Sequence, residues 1–334
     1  MSNELRFASI QKELAIVKGR ILDELKSKIE IAKVDISQKL RKRNLEVNHQ
    51  NAISHYFDDL QKFLFVQQQQ IFIVMSYCDL ESCACLLGGH PNIKGELSHW
   101  PGQANIVIRS MLELVIHHVF IACSVSDRML AFNRSNWREV KIHYDDMVLS
   151  APDPRCFSKS KADLLEYLDK DESSYMISPM EKADPFHKIQ QWPLVSTIVK
   201  QQNQNKSKKH CYSIDYKVDK DSLDLLKYLK MWMYGVYSSN NHNGIFGWGD
   251  RFSPQEISLR DVIRNQAPEQ NIEHCSNTAR GRAYLMILML LSEVVSHNKI
   301  HLYKRDLRRL WGNLEAWGEP KELFQMRYDN LLAH

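Results

Sequence analysis

Four polar side chains recur every fourth residue inside an apolar stretch, NIVIRSMLELVIHHVFIAC: Asn105, Arg109, Glu113 and His117. Spacing of four puts them along one stripe of a helix. Ile108, Met111, Leu112, Val115, Ile116, Val119 and Phe120 cover much of the rest, and a helix apolar nearly all round is a buried one. A buried charge is expensive unless paired, so the stripe predicts either a register-fixing ion pair or a polar pocket. Arg109 and Glu113 can make a charge-assisted hydrogen bond, and Glu113 can orient His117 and favour its charged form. Four residues overshoot a turn by about 40°, so Asn105 and His117 diverge by about 120° and need not share a pocket. Of the adjacent histidines, His117 rather than His118 has the stripe's spacing.

A second constellation is YGVYSSNNHNG. In a helix Tyr234, Tyr237, Ser238 and Asn241 share a face, and His242 follows at a glycine-rich break. Helix capping by His242 accounts for the pattern about as well as chemistry does. The strand-elbow-helix context of a hydrolase serine is missing.

R-S-M-L-E in an apolar helix, Trp192 in the middle segment, then Y-x-x-Y-S-S-x-x-H resemble a bacterial family known as the domain of unknown function DUF 5677. The resemblance covers about residues 100–250, through Arg109, Ser110, Glu113, Trp192, Tyr234, Tyr237, Ser238 and His242. It implies a helical domain in which Arg, Glu, Ser and His converge, and no settled activity. The HEPN ribonucleases offer a weaker comparison: an Arg and a His on one helix, with four to six residues between them. Here that pattern occurs at Arg43/His49, Arg138/His143 and Arg327/His334. Random placement predicts about two such matches, so three is no excess.

Cys78, Cys83, Cys85, His90 and His99 have ligand types zinc accepts, but C-x2-C is absent and packing is the stronger reading. No metal or cofactor is expected. Basic runs at Lys39–Arg43 and Lys304–Arg309 could line an RNA groove, with Tyr303 or Trp311 to stack on bases, although such runs are more often solvated faces. The net charge of +4 neither demands nor excludes a nucleic-acid partner.

The elements that must position these residues read as helices. Only 12 Gly and 10 Pro interrupt 334 residues, the apolar share is 44%, and no strand alternation or repeat is visible. The expected fold is all-α, a multi-helix bundle with a long N-terminal helical hairpin. Residues 1–88 form the hairpin, 89–270 the core helical domain and 271–334 a C-terminal segment packing on it. The hairpin comprises helices over about 4–46 and 52–87, with Gln67–Gln70 as a solvated turn of the second. Helix three spans about 103–132, another covers 135–149, and a strong helix covers 220–242. The last block spans about 278–317 and 320–332. Seven cysteines and no n-region or h-region argue for the cytoplasm and against a membrane.

The leading expectation is metal-independent cleavage of RNA or another phosphodiester, as a bacterial toxin or phage-defence effector. Arg109 holds the phosphate, His242 is acid or base, Ser238 lies beside it and Glu113 orients. Tyr234, Tyr237, Asn241 and His117 line the substrate. The alternative is a non-catalytic binding or regulatory module whose N-terminal helices form a partner surface or a homo-oligomer.

Overall fold

In the computed structural model the described residues are 3–43, 50–88, 101–150, 153, 155, 157–172, 176–200, 214–230, 269–314 and 327–332. Among them the fold is all-α, with no strand. The elements are α1 (Asn3–Arg43), α2 (Gln50–Gly88), α3 (Pro101–Ala122), α4 (Val125–Ser150), α5 (Ser158–Glu172), α6 (Pro179–Ala183), α7 (Pro185–Lys188), α8 (Val195–Lys200), α9 (Lys220–Tyr228), α10 (Glu269–His297), a 3-10 turn (His301–Tyr303) and α11 (Lys304–Leu314). Residues 327–331 form a further helical turn.

The chain divides into two compact units. One contains residues 1–38, 66–122 and 219–334. Its centre is α10 against α3, both lined by large aliphatics: Ile108, Met111, Leu112, Val115 and Ile116 from α3, and Met286 to Leu291 from α10, all buried. The α1 heptad-like series Leu14, Val17, Ile21, Leu25 is likewise buried. Within this unit α1 and α2 run antiparallel, because Lys18 lies over the Tyr77 ring while, further along α1, the Leu22 carbonyl accepts from Gln70. The expected hairpin is present.

The second unit contains residues 39–65 and 123–218. Trp137 is its centre, packed with Leu168, Ile177 and Ile189, and its indole N–H donates to the Leu168 carbonyl at 3.2 Å. The buried Arg134 guanidinium pairs with Glu181 and donates to the Met176 carbonyl. Glu181 also closes a capping box with Ser178 at the start of α6. Arg128 clips the 214–218 segment by donating to the Asp215 and Lys217 carbonyls.

Two helices are shorter than the periodicity predicts. Helix three ends at Ala122 rather than near Phe132, because Ser124 turns the chain: its carbonyl accepts from Arg128 and its hydroxyl reaches Asp127. The signal is Ser-x-x-Asp, a helix start hidden inside continuous apolar spacing. The last block breaks after His297. Lys299 adopts φ 53°, Ile300 N–H bonds the Val295 carbonyl and Lys299 N–H the Ser296 carbonyl, which together make a Schellman stop without glycine. Helix 220–242 is described only through Lys230.

Candidate functional site

The α3 stripe comes out as the helix's open edge rather than a buried seam. Ile106 and Ser110 are exposed, and Arg109, Glu113 and His117 are half-buried, all within one i, i+3, i+4 row. Arg109 Nε donates to Glu113 Oε1 at 3.2 Å, with 21% and 36% of the side chains exposed. The expected buried pocket is therefore, at this pair, a solvent-edge ion pair, and such pairs contribute little. Asn105 turns inward, and its buried Oδ1 has no partner among the described residues. Burial pushes His117 down to about 4, so the ring is neutral and the charging expected from Glu113 does not occur.

α2 supplies a neighbour the sequence did not suggest. Burial pushes the Asp79 carboxyl up, partly offset by a hydrogen bond from Ser110. Asp79 of α2 thus meets Ser110 of α3, the residue next to Arg109 in the Arg109–Glu113 pair. Ser238, His242, Tyr234, Tyr237 and Asn241 lie outside the described residues, as do His90, His99, His49 and His334.

The other candidates separate. Arg138 is buried and pairs with Glu139 over the Phe186 ring at 5.0 Å, while His143 is exposed; five residues apart on a helix they do not face together. Cys83 is buried, with its thiol toward the Ala104 carbonyl at 3.6 Å, whereas Cys78 and Cys85 are exposed. The three cannot share one ion. In the basic run of α11, Arg309 lies near Glu13 and Asp306, and Arg308 donates to the Leu332 carbonyl. Trp311 is not available to a base: it stacks on Tyr328 at 5.0 Å and donates to Ser292 Oγ at 3.0 Å.

Among the described residues, a dense polar constellation lies where spacing did not reveal one. Gln69 is fully buried on α2, which corrects the solvated glutamine turn. Its amide donates to His118 Nε2 at 3.0 Å and accepts from Asn298 at 2.8 Å. The His297 ring meets His118 edge-on at 6.4 Å. One turn before His297, Glu293 receives Arg327 through Nε at 2.7 Å and Nη2 at 3.1 Å, and the Tyr328 hydroxyl at 2.9 Å. Burial opposes the Arg327 charge, but Glu293 outweighs it and holds the guanidinium firmly protonated. Burial, then Glu293, keeps the Tyr328 phenol protonated. The available signal was Ser292-Glu293 interrupting an apolar run, since a carboxylate there requires a cation from elsewhere. Distance in sequence hid Arg327. The network directs its hydrogen bonds inward and ties α2, α3, α10 and the 327–331 turn together; this is a structural task.

Burial pushes His118 down to about 3, with His297 and Arg327 adding to the effect. The unfolded ring titrates near ~6.5. The folded value is the lower one, so the unfolded chain takes up the proton first. Stability is complete above about pH 6.5 and falls below it, by about 2 kcal/mol at pH 5 from this ring. Urea midpoints at pH 7.5 and 5.0 should show the loss, and His118→Gln should reduce it by this ring's share, leaving the share of His117; parallel profiles for the two proteins would refute the assignment.

No family model, curated protein or solved structure matches this chain.

Proposed function

We propose that this protein is a binding or regulatory module that self-associates through α2 in the cytoplasm. One observation carries the proposal. Ile71, Met75, Cys78, Ser82 and Cys85 are all exposed and recur at alternating spacings of four and three, with exposed Val74 beside them. That is the spacing of a coiled-coil seam. No charged residue occurs between Phe63 and Cys78, so the first half of the row offers nothing to repel a second copy. Two copies related by a two-fold axis would cover the same row on each.

The window Phe57–Gly88 is also apolar enough to cross a membrane, as is Ala104–Ala122, the latter largely buried. Sedimentation therefore belongs beside liposome flotation. The expected result is a dimer at micromolar concentration that Met75→Glu converts to monomer with unchanged helicity. Mild oxidation should cross-link the dimer through exposed Cys78 or Cys85 if the seam is parallel. A monomer at every accessible concentration would remove the proposal, and flotation without self-association would make the occupant lipid.

A second reading rests on Arg109 and Ser110 lying at the solvent edge, where a phosphodiester can reach them. In it the DUF 5677 resemblance adds Ser238 and His242, Arg109 holds the phosphate and His242 moves the proton, as in a metal-independent ribonuclease. Expression of the wild type, Arg109→Ala and His242→Ala, followed by total RNA integrity, tests it. Intact RNA with the wild type would exclude it.

A further inference from the structure

In the first unit, α1, α2 and α10 line a half-open pocket of about 210 Å³. Each helix contributes one alanine to its wall: Ala8, Ala84 and Ala283. Ala283 is buried at its base, while Ala84 is half-buried and Ala8 exposed, so small side chains leave the space open on one side. Phe7 and Tyr284 stack at 5.8 Å to form one wall, and Leu80 and Cys83 contribute to another. Tyr284 is held in place by donating to the Phe7 carbonyl at 3.3 Å.

Arg280 also lines the cavity. Its guanidinium lies 5.4 Å from the Phe7 ring centroid, donates to the Leu87 carbonyl at 2.7 Å, and makes a long contact with Asn277 Oδ1 at 3.5 Å. No carboxylate pairs with it among the described residues. Those two bonds leave N–H donors over and leave the charge uncompensated. A cation held against an aromatic face, beside an apolar space, has the chemistry of a carboxylate subsite. The size and the single charge disfavour a nucleotide or a phosphodianion, which would call for more cations.

We propose that this cavity binds a small organic monocarboxylate with an aromatic or branched aliphatic body. The carboxylate takes the open donors of Arg280, and the body lies against Phe7 and Tyr284 over the three alanines. Gln11, also in the lining, brings an amide donor to the site. The site binds rather than reacts. Cys83, the one thiol in the wall, is pushed up to about 12 by burial and by Asp79, and so stays protonated. This inference goes beyond the self-association proposed for α2 and stands without it.

The test is calorimetric titration of the full chain with benzoate, with 3-methylbutanoate and with neutral benzamide. Saturable binding of the two acids, and at least about tenfold weaker binding of benzamide, is expected from loss of the charged hydrogen bonds. Arg280→Gln should weaken benzoate by about tenfold or more, and Arg280→Lys by less. Ala84→Leu fills the space from a half-exposed position while Arg280 is retained, and should abolish binding while circular dichroism stays unchanged. It keeps the test decisive if Arg280→Gln unfolds. Absence of saturable binding to wild type overturns the proposal. So does equal affinity for benzamide, or undiminished binding by Ala84→Leu.

Discussion

Arg327→Ala should cost about 3–5 kcal/mol, because it leaves the Glu293 carboxylate buried without its cation. Glu293 is 6% exposed and receives both guanidinium bonds, so no water-facing rotamer offers an easy escape. Tyr328 alone cannot replace the charge, because its phenol, kept protonated by burial and then by Glu293, donates a neutral hydrogen bond and brings no positive charge. The pair itself contributes far less than its rupture costs, since both ions were desolvated to form it. Two variants separate these quantities. Arg327→Met combined with Glu293→Leu should recover most of the loss, whereas either single change should not. Urea denaturation gives the magnitude, and hydrogen exchange in α10 and α3 peptides gives the location. A single variant within about 1 kcal/mol of wild type would mean the carboxylate is not dependent on Arg327.

Trp137→Ala should cost a similar amount, about 3–5 kcal/mol, by a different route. No charge is stranded; a large hole opens. The indole is fully buried among Leu168, Ile177 and Ile189, elements that reach α4 from three separate segments. The Leu168 carbonyl also loses its N–H donor. Trp137→Phe should recover more than half of the stability, because most of the packing survives and only the hydrogen bond and part of the volume are lost. Denaturant midpoints for the three proteins check the order. Equal losses for Phe and Ala would assign the effect to the hydrogen bond instead.

Both effects arise between residues that local spacing does not join, and the reason is the same. Residues close in sequence advertise themselves through helical spacing. Arg109–Glu113 is such a pair, and it does form at 3.2 Å. Spacing cannot say which face of a helix will be covered, and here the polar row is the open one. His117 and His118 show the point at one-residue resolution. The stripe's spacing favours His117, yet His118 points to the interior and meets Gln69 and His297. Gln69 was equally invisible, because four consecutive glutamines look alike until one of them is enclosed.

The sequence alone determined that this protein is helical, that its N-terminus is an antiparallel pair of long helices, and that Arg109 and Glu113 meet. All three follow from local periodicity, scarce breakers and contacts one turn apart. Only the tertiary structure decided the rest. It placed Arg327 on Glu293, Gln69 on His118, and Arg280 beside a space left by alanines on three helices. Burial and pairing between distant segments depend on which helix faces meet, and no local pattern in the chain encodes that choice.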